Sequence, residues 1–533
     1  MGTLWFNGTI YTMRKENETV EAVFTEAGFI KEIGFLQHIE DKYKQRITKR
    51  IDLRGNVMFP GFVDSHMHLI GHGETLIRLD LSKMNSKAEV LSAIRARVAA
   101  TPEGEWIIGE GWNENLWKDA EVLTKSEIDE VVPHHPVLLK RICRHAMVVN
   151  SLALKMANLN ENTVNPIGGL IEKDEEGKLN GLLKDKAQDL MIAALPEISQ
   201  VYLENALRNA IQNCWKLGLV GGHTEDLSYY GNFNKTYQAF LNVIEEENYK
   251  FRAHLLVHHE VIEDWKKEGH SFLSGTPFIE FGAMKIFADG ALGGRTALLS
   301  HPYADDPTTN GVEIHSQEKL HELVEKARSY GLPIAVHTIG DLAFEHVLHS
   351  VKKHPSVNSQ RDRFIHAQLL RKDLIEEIKM HPIVLDIQPR FVPSDFPWVM
   401  ERVGVENMTF NYAWKTLLEE GIHCAGGSDA PIEPVDPLLG IHAAVTRTNP
   451  LDMEKIVYQP DQCLTPFEAV SLFTKGSAYA CHHEKDRGLI DEHYSADFTV
   501  LNKDILKIQP DEILSTDVSM TIINEEIVFK NKK

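Results

Sequence analysis

Residues 59–68 read Phe59-Pro60-Gly61-Phe62-Val63-Asp64-Ser65-His66-Met67-His68. The Pro-Gly pair punctuates the end of the preceding segment, and the apolar run after it is too short for a helix. On an extended strand residues i and i+2 share a face, so His66 and His68 project together. That is how two imidazoles reach one metal ion. The chain holds 26 histidines but only one His-x-His.

Downstream of this stretch, short apolar runs alternate with helical periodicity, the pattern of repeated βα units and a parallel sheet. Strands are expected at Leu219–Thr224, Phe251–Val257, Phe281–Ala288, Pro333–Thr338, Arg363–Ala367, Pro382–Gln388 and Gly421–Ser428. With the opening stretch they number eight. Helices fall between them; Ser316–Tyr330, for example, carries Leu320, Leu323, Val324 and Ala327 at helical spacing. Eight strands with intervening helices predict an α/β fold, a (β/α)₈ TIM barrel. An open doubly wound sheet would call for a Gly-rich phosphate loop, and neither G-x-G-x-x-G nor G-x-x-x-x-G-K-[ST] occurs.

The two chain ends read as strands. Leu4–Met13 contains an Asn-Gly pair, a hairpin signal; Val20–Phe24, Phe29–Phe35 and Arg46–Leu53 follow. Ala496–Leu501 and Thr521–Phe529 are strand-like at the other end. Neither end has enough apolar residues for its own core. Residues 1–56 and 485–533 are therefore expected to form one small β-sandwich domain, with the barrel spanning 57–484. The stretch from about 70 to 200 is too long for a structureless loop and is expected to be an inserted subdomain over the barrel mouth.

The totals bound the partners. Acidic residues number 77 against 56 basic, a net charge of −21. This argues against nucleic acid or an anionic membrane and leaves a small-molecule substrate as the expected partner. A homo-oligomer is compatible with the sequence. The five cysteines form no Cys-x-x-Cys pair, which fits a reducing cytoplasm. Neither a secretory leader nor an apolar run of membrane-spanning length is visible.

In a barrel, functional residues sit at the C-terminal ends of strands. Four expected ends carry metal-ligand chemistry: His66 and His68, then His337, His366 and Asp429. Four imidazoles and a carboxylate suit zinc or a similar borderline cation. The fourth strand carries Lys285 within an apolar run. A buried ammonium needs an anion such as Asp289, a lowered pKa, or covalent modification. A lysine of lowered pKa can add carbon dioxide, and the resulting carbamate can bridge two cations.

These residues together resemble the amidohydrolase superfamily of metal-dependent hydrolases, and the wider wording resembles its N-substituted formamide deformylase-like branch. The resemblance rests on Phe59–His68, Gly109-Glu110-Gly111-Trp112, Lys285–Ala297, Ile365-His366-Ala367-Gln368, Ser428-Asp429-Ala430-Pro431 and Gly488-Leu489-Ile490 followed by Ser495-Ala496-Asp497. It spans nearly the whole chain. It implies a TIM barrel with a β-sandwich from both termini, hydrolysis of an amide or formamide-type C–N bond, and a carboxylated Lys285 holding one or two zinc ions. Two departures stand out: His337-Thr338-Ile339-Gly340-Asp341 where the family usually has His-Ala-x-Gly-Asp, and Glu525 after Asn524 where Gly is usual.

With such a centre, Asp429 is the expected general acid/base, and His366 is either a ligand or a carbonyl polariser. Trp112, His145 and Arg295 are candidates to line the substrate pocket. Two other functions fit the same scaffold: a mononuclear deaminase of the superfamily, and a catalytically silent binding or regulatory protein.

Overall fold

A computed structural model describes residues 2–532 apart from 100, 115, 116, 118–120, 142–145, 167, 358 and 397. Eight parallel strands run β1 (Phe62–Met67), β2 (Leu219–Thr224), β3 (Arg252–His258), β4 (Ile279–Phe287), β5 (Ile334–Thr338), β6 (Asp362–His366), β7 (Ile383–Ile387) and β8 (His423–Gly426). They form one sheet in the order β8-β7-β6-β5-β4-β3-β2-β1. The ring is nearly closed. Beyond the end of β8, the Asp429 N–H donates to the His66 carbonyl and the His68 N–H to the Ala430 carbonyl, each at 2.7 Å. Every residue of β2, β6 and β7 is buried, as expected of strands covered on both faces.

The intervening helices follow the local signals. Gln317–Ser329 begins at Ser316, whose hydroxyl accepts from the Lys319 N–H, and buries Leu320, Leu323, Val324 and Ala327. Asp341–Lys353 begins with an aspartate and ends on Lys352 and Lys353, complementing the helix dipole.

Strands from both chain ends join a second, eight-stranded sheet. Its path runs 526–530, 518–523, 498–501, 57–60, 2–11, 19–26 and 29–34, with 47–52 also pairing to 2–11. The link between the ends is antiparallel, with Phe59 opposite Thr499. One face buries Trp5, Ile10, Val23, Met58, Phe498, Val500 and Ile522 together. Two expectations change here. Asn7-Gly8 is not a hairpin turn, because Gly2–Tyr11 is one strand. Asn7 takes φ 60° and the pairing register shifts between Phe6 and Ile10. The positive φ makes a bulge instead of a reversal. Thr521–Phe529 is not one strand but a hairpin, Val518–Ile523 and Glu526–Lys530, turning at Asn524 and Glu525 with φ 52° and 71°.

The chain divides into two compact units, Met1–His72 with Leu203–Lys533, and Gly73–Tyr202. The second has its own six-stranded sheet, ordered 169–173, 179–185, 146–149, 137–141, 107–112 and 79–80. Alternation along it supplies two cores. Val137, Leu139 and Val148 pack with Trp112 and Ile128 on one face; Leu138, Met147, Val149 and Leu183 pack on the other. The four described cysteines are unpaired, and Cys143 lies outside the described residues. No described helix is long and apolar enough to cross a membrane.

Candidate metal centre

The C-terminal ends of β1, β5, β6 and β8 bring five of the expected ligands to one cavity of about 400 Å³, lined by His66, His68, His337, His366 and Asp429. Ligand atoms of His66, His366 and Asp429 lie within 4.8 Å of one another. The Asp429 Oδ1 is 3.4 Å from Nε2 of both His66 and His68.

Backbone and side-chain acceptors orient the imidazoles. The His68 Nδ1–H donates to the Glu225 carbonyl at 2.8 Å, leaving Nε2 toward Asp429. The His366 Nδ1–H donates to Gln388 Oε1 at 2.8 Å, and the His337 Nε2–H donates to the Gly290 carbonyl at 3.0 Å. Each bond fixes a tautomer and frees the other ring nitrogen, the usual support for a metal-ligating histidine. Burial pushes the pKa values of His66 and His337 well down, and that of His366 to about 4, so these rings are neutral. Burial also opposes charge on His68, but the Asp429 hydrogen bond and charge raise it to about 9. Burial opposes the Asp429 charge in turn, yet His68, His366 and Lys285 hold its carboxyl below the usual range.

The loop after β8 is held against β1 by Asp64. Its carboxylate accepts from the Ser428 hydroxyl at 2.6 Å, the Ser428 N–H at 3.0 Å and the His66 N–H at 3.0 Å. The lack of a side chain at Gly427 lets the two backbones meet: a Cβ there would sit 2.6 Å from the His66 nitrogen and 2.8 Å from Asp64 Oδ1. His366, Ala367 and Asp429 all adopt positive φ (76°, 44° and 58°), a concentration of strained backbone around the centre.

Lys285, in β4, is fully buried, and its Nζ has no hydrogen-bond partner among the described residues. Its nearest carboxylate is Glu225 Oε2 at 4.0 Å. The expected alternative, Asp289, is occupied elsewhere, accepting from the backbone N–H groups of Gly340 (2.8 Å), Leu298 (2.9 Å) and Ile339 (3.1 Å). Burial lowers the Lys285 pKa, with Glu225 opposing. The neutral imidazoles of His66, His337 and His366, a His68 whose Nε2 would release its proton to a metal, an ionised aspartate and an unbonded lysine together fit a divalent cation held by nitrogen and oxygen.

The expected substrate contacts fare differently. Arg295 is turned to Asp305, its Nε and Nη2 donating to the two carboxylate oxygens at 3.0 and 2.7 Å, and is not among the residues lining the cavity. Trp112 lies in a core of the Gly73–Tyr202 unit, 1% exposed, with its indole N–H donating to the Leu139 carbonyl. His145 lies outside the described residues. Sequence reading missed Glu225 and Tyr229, whose hydroxyl donates to Glu225 Oε2 at 2.8 Å. The signal was present, since Glu225 directly follows a predicted strand.

A second group, His254, Glu280 and Cys481, also brings potential ligands together. It lies toward the N-terminal ends of β3 and β4, with a void of only about 30 Å³. Glu280 is satisfied there by His254 Nδ1 at 2.9 Å and His483 Nε2 at 2.8 Å. That is a structural network at the stability end of a barrel.

The amidohydrolase family profile matches residues 49–529. The chain is 52% identical to the Bacillus subtilis protein YtcJ, provisionally named an amidohydrolase, over 99% of this chain and 100% of that one. It is 24% identical to the N-substituted formamide deformylase of Arthrobacter pascens, covering 97% and 96% of the two chains. An uncharacterised metal-dependent hydrolase from Pyrococcus horikoshii superimposes with a TM-score of 0.81 at 28% identity, covering 96% of this chain and 99% of that one. With the barrel, the convergent ligands and this match over most of its length, the chain belongs to the amidohydrolase family of metal-dependent hydrolases.

Proposed function

We propose that the protein hydrolyses an amide or formamide-type C–N bond of a small molecule, with zinc as the cation. The observation that carries this reading is the convergence of His66, His68, His337, His366 and Asp429 on one cavity, with outer hydrogen bonds orienting His68, His337 and His366. These five are the proposed ligands, and a carboxylated Lys285 is the proposed bridge between two ions. The same reading takes residues 1–56 and 485–533 as a small β-sandwich domain, 57–484 as the catalytic domain, and the cytoplasm as its location.

A divalent cation bound there supplies Lewis acidity and brings the pKa of water to about 7. The chain's own residues do the rest. Asp429, ionised and facing His66 and His68, accepts the proton of the attacking water and returns it to the leaving nitrogen. Phe287, Leu292, Phe391 and Trp398 line the cavity and exclude water around the scissile bond.

The test is a screen of N-formyl, N-acyl and cyclic amides with zinc-loaded protein, followed by Asp429→Asn on the best substrate. The expected result is a kcat loss of ~10²–10⁴-fold with zinc retained better than in His66→Ala. Near-normal kcat in a folded, zinc-loaded Asp429→Asn protein rejects the acid/base role. Ammonia release from an amine substrate, without amide cleavage, assigns the deaminase reading instead.

A further inference from the structure

The cavity has a second, chemically different region. Gln368 lines it and is 2% exposed. Its Nε2 donates to Asp395 Oδ2 at 3.0 Å and to the Tyr412 hydroxyl oxygen at 2.8 Å. Those two bonds fix the amide, and its Oε1 has no hydrogen-bond partner among the described residues. Asp395 lines the same cavity and accepts at 2.7 Å from the Tyr412 hydroxyl. Both of its partners are neutral.

Glu433, also on the cavity, differs. It has a counter-ion, the Arg390 guanidinium at 3.1 Å, and accepts from the Ser394 hydroxyl as well. Among the described residues Asp395 is therefore a carboxylate without a counter-ion beside the orphaned carbonyl oxygen of Gln368, and both residues line a wall that is mostly apolar. Partly buried charge left with neutral donors is costly, and so is a buried acceptor without a donor. One ligand chemistry offsets both costs: a cation that carries N–H bonds.

We propose that Asp395 and Gln368 form a recognition site for a protonated amine, so that the substrate class is an amide whose apolar body carries an ammonium group remote from the scissile bond. The inference rests on the hydrolase reading in taking the cavity's occupant as substrate. The ammonium donates to an Asp395 carboxylate oxygen and to Gln368 Oε1, and the apolar body lies against Phe391 and Trp398. A site built to hydrogen-bond a group rejects the analogue that lacks it, because the buried acceptors are then left unpaired.

Binding can be measured without turnover, so failure of this proposal is separable from failure of the hydrolase reading. The probes are 3-phenylpropylamine, the neutral 3-phenylpropanol, and the N,N,N-trimethyl ammonium derivative, which keeps the charge but has no N–H. Isothermal titration near neutral pH uses the full chain, both zinc-loaded and chelator-stripped. The expected result is that the primary amine binds at least ~10-fold more tightly than either analogue, in both forms, and that Asp395→Asn reduces this preference to ~3-fold or less. Equal affinities in the wild type overturn the proposal, as does no binding by any probe. A preference that survives Asp395→Asn overturns it too, as does one that disappears on stripping the zinc, which places the amine on the metal. Should Asp395→Asn fail to fold, the wild-type ranking of the three probes decides the matter alone.

Discussion

Lys285 and Glu225 pose a problem of charge. A carbamate on Lys285 would set an anion beside a second buried carboxylate, so Glu225 must hold a proton or meet a cation. Burial raises the Glu225 pKa, while Lys285, His68 and the hydrogen bond from the Tyr229 hydroxyl oppose the lift. The carbamate is thus compatible with a protonated Glu225. Protein loaded with zinc in ¹³C-bicarbonate should show one carbamate carbon resonance, absent from Lys285→Ala. No resonance at full zinc occupancy would leave Lys285 as the counter-ion of Glu225 and rule out the bridge.

Asp395 supplies a pH test at the same scale. Burial lifts its carboxyl to about 7, Glu433 adding to the lift while the Tyr412 and Gln368 hydrogen bonds oppose it. In the unfolded chain the group titrates near ~3.9. Between these values the folded protein holds a proton that the unfolded chain has released. Its contribution to stability is therefore present below about pH 4 and lost as pH rises through about 7. Asp395→Asn removes this component, so its Tm relative to wild type should climb as pH goes from 5 to 8. Parallel Tm curves would show that Asp395 titrates normally.

Among elements, the junction of β1 with the segment after β8 controls the geometry of the centre. Gly427→Ala places a Cβ against the His66 nitrogen, the Asp64 carboxylate and the His66 carbonyl at 2.6, 2.8 and 3.0 Å. Two of these three are backbone atoms of a ligand and cannot swing aside. The substitution should cost ~1–3 kcal/mol and reduce zinc occupancy. Gly293→Ala meets nothing within 4 Å and should stay within ~0.5 kcal/mol of wild type. Denaturant midpoints and zinc content on both proteins check this; equal effects would refute the close-packing account. The strand ends were legible because periodicity marks each βα unit and the next residue inward then falls on the same rim, as with His337 and His366. Asp395 was not, because it sits on a short helix, Phe391–Asp395, and reaches the cavity by the path of the chain after β7 rather than by a strand's alternation. Asn7-Gly8 misled for a local reason. Its allowed positive φ serves a bulge or a turn equally, and only the neighbours decide: Asn7 Nδ2 donates to Asp52, and Gly8 packs against the Asn56 carbonyl.

At the scale of the whole molecule, the terminal sheet is tied to the barrel within the unit that holds the metal centre. The Phe62 N–H donates to the Thr499 hydroxyl at 3.0 Å, that hydroxyl donates to the Gly218 carbonyl at 2.6 Å, and the Thr521 hydroxyl donates to the Trp215 carbonyl at 2.6 Å. Arg252, opening β3, is paired with Asp497. Phe62 opens the strand that leads to His66 and His68, so the sheet built from both chain ends anchors the start of the ligand-bearing strand. Ile522 is fully buried in the core of that sheet. Ile522→Ala leaves the centre untouched and should cost ~2–5 kcal/mol. If sheet and barrel unfold together, the denaturant midpoint for zinc release should fall by the same amount as the midpoint for loss of secondary structure, while kcat of the folded protein at low denaturant stays at the wild-type value. Zinc release that keeps its wild-type midpoint while the secondary-structure signal shifts would show that the terminal sheet melts on its own and that its hydrogen bonds to Gly218 and Phe62 do not couple it to the ligands.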